Sequence, residues 1–177
     1  MVEPEIEDKR ITLKEAAKLI PDGAELFWGG FGYQRPPMAF AHELVRQGKR
    51  NLHIYTCNSE IDIDILAGAR VASKFELAFF AIEGIRLHPN IQRRIKDGSV
   101  QIEDYTNLAM ALRFLGGALS VPFMPIKSML GTALALQLSS EEKVRAVIPT
   151  RRRVGVSPWV LVERQKLAVR GGYLASL

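Results

Sequence analysis

The chain has 177 residues, 47% hydrophobic, 8% aromatic and 24% charged, the profile of a globular protein with enough length for one core. One cysteine, Cys57, excludes an internal disulfide and suits a cytoplasmic setting; no apolar run reaches the roughly 20 residues of a membrane helix, and the acidic N-terminus is not a secretory signal. The net charge of +5 sits wholly in the last fifth: residues 1–140 hold 16 Lys+Arg against 16 Asp+Glu, residues 141–177 hold 8 against 3, and a balanced body excludes a generally basic nucleic-acid binder.

Thr12-Leu13-Lys14-Glu15 has the form of a capping box and opens a helix with Leu13, Ala16, Ala17 and Ile20 on one face. Pro21-Asp22-Gly23 ends it, and Ala24 to Trp28 reads as a short buried strand. Pro36-Pro37 then restarts the chain into a helix over Met38 to Gln47, closed at Gly48. Asn51 to Cys57 is a second strand and Ile61 to Ala69 a short helix. Phe75 to Ile82 reads as a third, nearly all-apolar strand, and Pro89 to Asp97 as the next helix. Val100 to Tyr105 is a fourth strand, followed by a helix over Asn107 to Leu119 that Thr106 caps. Strands alternating with helices across short loops predict an α/β fold: a mainly parallel sheet with helices on both faces. Residues 1–140 form that domain, and residues 141–177 form a basic tail of different texture, without Asp, Asn or His and with Arg151-Arg152-Arg153 at its centre.

The strongest local feature is Gly29-Gly30-Phe31-Gly32-Tyr33-Gln34-Arg35-Pro36-Pro37-Met38, between the first strand and the next helix. In such sheets ligands bind beyond the carboxyl ends of the strands. Glycines permit positive φ and close backbone approach, a helix start offers free N–H groups to an anion, and Arg35 adds a planar donor fork for a carboxylate or phosphate. A tight turn with a surface arginine is the plainer account. There is no G-x-G-x-x-G followed by an acidic ribose partner and no G-K-[ST], so nicotinamide-dinucleotide and nucleotide-kinase readings lose their support.

Glu83 is a candidate carboxylate because it follows the third strand at its carboxyl end. Glu60, Asp62 and Asp64 read as charge compensation at a helix start, and Glu103-Asp104 as solvated. His42, His53 and His88 show no ligand spacing and Cys57 has no cysteine partner, so no metal site is expected; Cys57 reads as a small buried hydrophobe.

These residues, in this order, resemble the alpha subunit of family I CoA-transferases, the glutaconate and 3-oxoacid branch above all. The resemblance rests on Ile20-Pro21-Asp22-Gly23, on Gly29-Gly30-Phe31-Gly32 through Arg35, Pro37, Met38 and Ala39, and on Glu83-Gly84, Pro89-Asn90 and Glu103-Asp104-Tyr105-Thr106-Asn107. Pro122-Phe123-Met124-Pro125 and Leu130-Gly131-Thr132 extend it to about residues 12–132. It implies a heteromer in which a partner beta subunit supplies a glutamate nucleophile, which attacks an acyl-CoA and carries a glutamyl-CoA intermediate, with coenzyme A as substrate and no permanently bound cofactor. It implies no catalytic residue in this chain, with Glu83 as the fallback. Gly29, Gly30, Phe31, Gly32 and Arg35 would bind the substrate or stabilise its oxyanion. The partners are then the beta subunit, acyl-CoA and small carboxylic acids, with no nucleic acid and no membrane.

Related CoA-ester hydrolases of steroid ring degradation resemble the chain too, but carry a Glu just after the strand that here ends at Tyr105; Thr106-Asn107 stand there instead, which favours transfer. A degenerate, non-catalytic subunit that only binds a partner is a further alternative. Beyond about residue 145 the resemblance stops, whereas family members continue with further strands, so the chain reads as C-terminally truncated or frame-shifted. Val147-Ile148-Pro149-Thr150-Arg151 can be encoded so that a neighbouring frame gives Asp-Pro-Tyr-Thr-Glu, a family-like stretch. We expect resequencing of the gene to find a frame shift near residues 143–147; one uninterrupted frame shared with close relatives would refute it.

Overall fold

The computed structural model describes residues 10–82 and 86–120, together with 124, 126, 128, 129 and 132–134. Glu83 and the tail over 141–177 lie outside the described residues. The elements are α1 (Leu13–Lys18), β1 (Glu25–Trp28), α2 (Met38–Arg46), β2 (Leu52–Thr56), α3 (Ile61–Gly68), β3 (Ala72–Leu77), β4 (Ala81–Ile82), β5 (Arg86–Leu87), α4 (Pro89–Lys96), β6 (Gln101–Asp104) and α5 (Asn107–Ala118).

The capping box forms: Thr12 N–H donates to Glu15 Oε2 at 2.9 Å and Glu15 N–H to Thr12 Oγ1 at 3.2 Å. At the last of these elements Ala109 N–H donates to Thr106 Oγ1 at 3.2 Å and starts α5. Between them a four-stranded sheet runs in the order β1-β2-β3-β6 with every neighbour parallel. Glu25 aligns with His53, Tyr55 with Glu76 and Glu76 with Glu103.

The third strand departs from expectation. It begins at Ala72, ends at Leu77, and the chain then leaves to form a separate antiparallel pair of β4 with β5. The run through Ile82 is apolar apart from Glu76, but only its first part is edge-matched to β2. After Leu77 one further bridge, Asn58 with Phe79, closes the pairing. The polar start of the strand, Ser73-Lys74, is missed by a hydrophobicity count, and an ion network holds Lys74 there.

Because side chains alternate along a strand, the two faces of the sheet have different chemistry. Leu26, Trp28, Leu52, Ile54, Phe75 and Leu77 meet Ala17, Phe40, Leu44, Ile63, Leu66 and Ile91 of the helical layer α1–α4 in one apolar cluster. The opposite face carries Phe27, Tyr55 and a band of charge, and α5 lies on it through Ala109 and Met110. Phe27 stacks on Tyr55 with ring centres 4.9 Å apart and meets Phe114 of α5 edge-on at 5.5 Å.

Glu76 is the centre of that band, with its side chain only 5% exposed. Its Oε1 lies 2.8 Å from His53 Nε2 and 3.1 Å from Lys74 Nζ, and its Oε2 lies 2.5 Å from Arg113 Nη2 of α5. Lys74 also pairs with Glu103, and the Tyr105 hydroxyl donates to Glu103 Oε2 at 2.9 Å. Glu103 is therefore engaged rather than solvated, and burial pushes the neighbouring Asp104 carboxyl upward. The Arg113 guanidinium sits 4.4 Å from the centre of the Tyr105 ring. Burial alone would raise the Glu76 pKa; the His53 hydrogen bond and the Arg113 and Lys74 charges outweigh it and hold the carboxyl well below the usual glutamate range.

A carboxyl held below its unfolded value stabilises the fold above the unfolded pKa, and the contribution fades as pH falls through and below it. The chain should lose stability between about pH 5 and pH 2, and Glu76→Gln should flatten that dependence. At neutral pH the same variant should cost about 3 kcal/mol, because it leaves the largely buried Arg113 guanidinium without its carboxylate. Denaturant titrations of both proteins across that pH range check both effects.

Candidate functional site

β1 delivers the chain at Trp28 straight into the glycine loop, at the carboxyl end of the parallel sheet. The loop is closed by its own backbone. Phe31 N–H donates to Gln34 O at 3.0 Å and Gln34 N–H to Phe31 O at 2.9 Å, while Gly32 N–H donates to Asn58 O at 3.1 Å. Two of the amides predicted to meet a substrate oxyanion, those of Phe31 and Gly32, are thus already engaged in shaping the loop. Gly30 adopts φ +97°, and a Cβ there would lie 2.9 Å from Pro36 Cα and 3.0 Å from Arg35 O. Only glycine permits both that dihedral and that approach.

Arg35 follows at φ +56°, a left-handed conformation that arginine seldom adopts. Its side chain is exposed and forms no hydrogen bond or ion pair among the described residues. Phe31 and Tyr33 are each 54% exposed, so the loop presents aromatic rings outward on either side of Gly32. The structure therefore brings Gly29, Gly30, Phe31, Gly32 and Arg35 into one short loop ahead of α2, and Pro37 enters that helix without a side-chain cap.

The acidic run that follows β2 is not simple helix-start compensation. Asp62, fully buried, accepts the Trp28 indole N–H on Oδ2 at 2.6 Å and the Glu60 backbone N–H on Oδ1 at 3.0 Å. Asp64 caps a different helix: its Oδ1 accepts the backbone N–H of Asn90 at 3.0 Å and of Ile91 at 2.9 Å, and its Oδ2 takes the Asn90 amide at 2.8 Å.

Glu60 has another position altogether. It is 3% exposed, stands at the N-cap of α3 without capping it, and its Oε1 is 3.2 Å from where a Cβ of Gly32 would lie. Its Oε2 and the Oδ1 of Asn58 are buried without a hydrogen-bond partner among the described residues. Leaving such a group unsatisfied costs on the order of 1–3 kcal/mol, more when it is charged. Sequence reasoning places Glu60 with the helix-start charges and misses this position. The available signal was a carboxylate one residue before an apolar helix, just past a strand's carboxyl end.

Cys57 is half-buried against α5, its Sγ 3.4 Å from Asn107 Oδ1, and burial pushes its thiol upward, which disfavours the thiolate. Among the described residues no three His, Cys, Asp or Glu side chains cluster as metal ligands, and no helix is long and apolar enough to cross a membrane.

Comparison with known proteins places this architecture. The family model described as Coenzyme A transferase matches residues 10–146. The chain is 29% identical over 145 residues to a glutaconate CoA-transferase subunit of Acidaminococcus fermentans, covering 79% of this chain and 44% of that protein. It is 27% identical over 128 residues to a 3-oxoadipate CoA-transferase subunit of Pseudomonas knackmussii, covering 70% and 45% respectively. The chain thus spans less than half the length of either curated relative. Among solved structures, a variant of the decarboxylase AibA/AibB superposes with a TM-score of 0.67 at 30% identity, over 72% of this chain and 50% of that one. The Acidaminococcus fermentans glutaconate coenzyme A-transferase superposes with a TM-score of 0.66 at 28% identity, over 70% and 40%.

Gly30→Ala should destabilise the fold by about 2 kcal/mol through the combined dihedral strain and backbone clash. Gly23→Ala, at φ +77° with open space around the new methyl, carries the strain without the clash and should cost only about 1 kcal/mol. Denaturation midpoints of the two variants measure the difference.

Proposed function

The chain belongs to the coenzyme A transferase family, and from that premise we propose that it is the alpha subunit of a heteromeric enzyme that moves CoA between an acyl-CoA and a carboxylic acid. The observation that carries the reading is the glycine loop, closed by its own backbone at the carboxyl ends of β1 and β2, where α/β folds bind ligands.

In the proposed cycle the thioester carbonyl is attacked by a glutamate of the beta subunit. The C–S bond breaks, CoA leaves as thiolate, and a mixed anhydride remains. The thiolate then attacks the glutamyl carbonyl, releasing the donor's acid and giving glutamyl-CoA. The acceptor carboxylate attacks that thioester in turn, and the returning thiolate completes the transfer and regenerates the glutamate. This chain supplies the walls of the site. The amides of Gly29 and Gly30 face the developing oxyanion, while Phe31 and Gly32 hold the turn that orients them. Arg35, exposed and unpaired among the described residues, receives the substrate carboxylate.

Thr106 supports transfer over hydrolysis, because the position after Tyr105 holds a hydroxyl that caps α5 rather than a carboxylate. A catalytic role for Glu83 is kept as the fallback, tested by Glu83→Gln.

The test is co-expression with the adjacent gene product and measurement of CoA exchange among dicarboxylic and oxo acids. Exchange into an added acid is expected; release of CoA to water alone would point to hydrolysis, and no turnover would point to a degenerate subunit. Arg35→Gly should raise the KM for the acid about tenfold. It should leave stability unchanged or slightly higher, since glycine relieves the left-handed backbone.

A further inference from the structure

Resting on that reading, the structure assigns a second contact surface to the site. We propose that Asn58 and Glu60 form an acceptor pair for the amide N–H groups of the pantetheine arm of the acyl-CoA, which makes Glu60 a specificity-determining residue for the thioester substrate.

Three observations converge on it. The two side chains flank one short connection, past the carboxyl end of β2, and that connection is bonded to the glycine loop through Gly32 N–H and Asn58 O at 3.1 Å. Each buries an oxygen that has no donor among the described residues, Oδ1 of Asn58 and Oε2 of Glu60. The Glu60 carboxylate lies over Gly32, where its Oε1 would be 3.2 Å from a Cβ, so a side chain at that glycine would crowd it. Its acidic neighbours, in contrast, have their donors: Asp62 holds Trp28 and the Glu60 backbone, and Asp64 holds the start of α4.

The chemistry selects the occupant. A carboxylate has acceptors only and offers no donor to the unpartnered oxygen of Asn58, so the acid does not complete the pair; Arg35, on the exposed side of the same loop, suits it. A divalent cation would require more ligands than are present, since no three His, Cys, Asp or Glu side chains among the described residues are placed to hold a metal ion. What remains among the substrates of the proposed reaction is a neutral chain with N–H donors, and the pantetheine arm carries two amides.

The experiment uses the co-expressed complex with Glu60→Gln, which keeps one acceptor oxygen, Glu60→Met, which keeps the volume and removes both, and Asn58→Ala. Each is compared on an acyl-CoA and on the corresponding methyl thioester, which has no amide. We expect the KM for acyl-CoA to rise about tenfold in Glu60→Met and about threefold in Glu60→Gln and Asn58→Ala. The KM for the acid and the turnover of the methyl thioester should stay within about twofold. A uniform loss of kcat with both KM values unchanged would overturn the assignment, as would equal losses on both thioesters or failure of the variants to assemble with the partner. Thermal unfolding of each variant separates these results from misfolding, and Asn58→Ala reads the pair even where Glu60→Met does not fold. Titration of the complexes with free CoA reads the contact without turnover. Weaker binding by the Glu60 variants supports it even where the wild-type complex transfers no CoA, and equal binding refutes it.

Discussion

A single buried carboxylate, that of Asp62, ties the two loops of the candidate site together. With no exposure to water it must be matched by donors, because an uncompensated interior charge is costly. One donor is the indole of Trp28, the last residue of β1 before the glycine loop; the other is the backbone of Glu60, which leads into α3. The hydrogen bonds therefore fix the end of β1 against the start of α3, and everything that follows from each point inherits that placement. Gly32 N–H closing on Asn58 O is the second tie between the same two segments. Asp64, one helical step further, fastens α3 to α4 in the same manner. The acidic run is thus a hub that faces inward, although its composition reads as a surface helix start.

The sheet rests on two unlike kinds of contact. On the α1–α4 side it is held by ordinary apolar burial, roughly 25 cal/mol for each square ångström removed from water. On the α5 side the interaction is ionic and aromatic, with Glu76 shared among His53, Lys74 and Arg113. Buried ion pairs add little net stability once desolvation is counted, but they are unforgiving of a missing partner. Arg113 is the only member of that trio contributed by α5, so the network sets where the helix sits on the sheet and which turn of it faces Glu76. The apolar face supplies stability and the ionic face supplies register.

This division also explains what the sequence disclosed. The capping box at Thr12, the Thr106 cap, the five helices and the parallel order follow from local patterns, and each is present within a residue or two of where the pattern places it. The glycine loop was visible because turn chemistry is written in residue types. The limits of β3 were not: Ser73 and Lys74 are polar, and Lys74 is held in the strand by Glu103, far along the chain, while the apolar run past Leu77 leaves the sheet. The hairpin of β4 with β5 escaped because two-residue strands carry no periodicity. Glu60 escaped because a carboxylate before a helix has an ordinary local explanation, capping, and only the tertiary structure shows that it caps nothing.

The candidate site is consequently built from backbone on one side and side chains on the other. Gly30 packs its α-carbon against Pro36, and the closed Phe31–Gln34 turn leaves Arg35 in a left-handed conformation without any side-chain partner to hold it there among the described residues. A strained, exposed arginine is retained only where the fold around it over-determines its backbone, and here the turn before it and the two prolines after it do so. Glu60 is the converse: its backbone is tied by Asp62, its side chain is buried, and its carboxylate is left with acceptor capacity unused. The glycine loop thus carries an exposed arginine, Arg35, and has a buried glutamate, Glu60, against its Gly32.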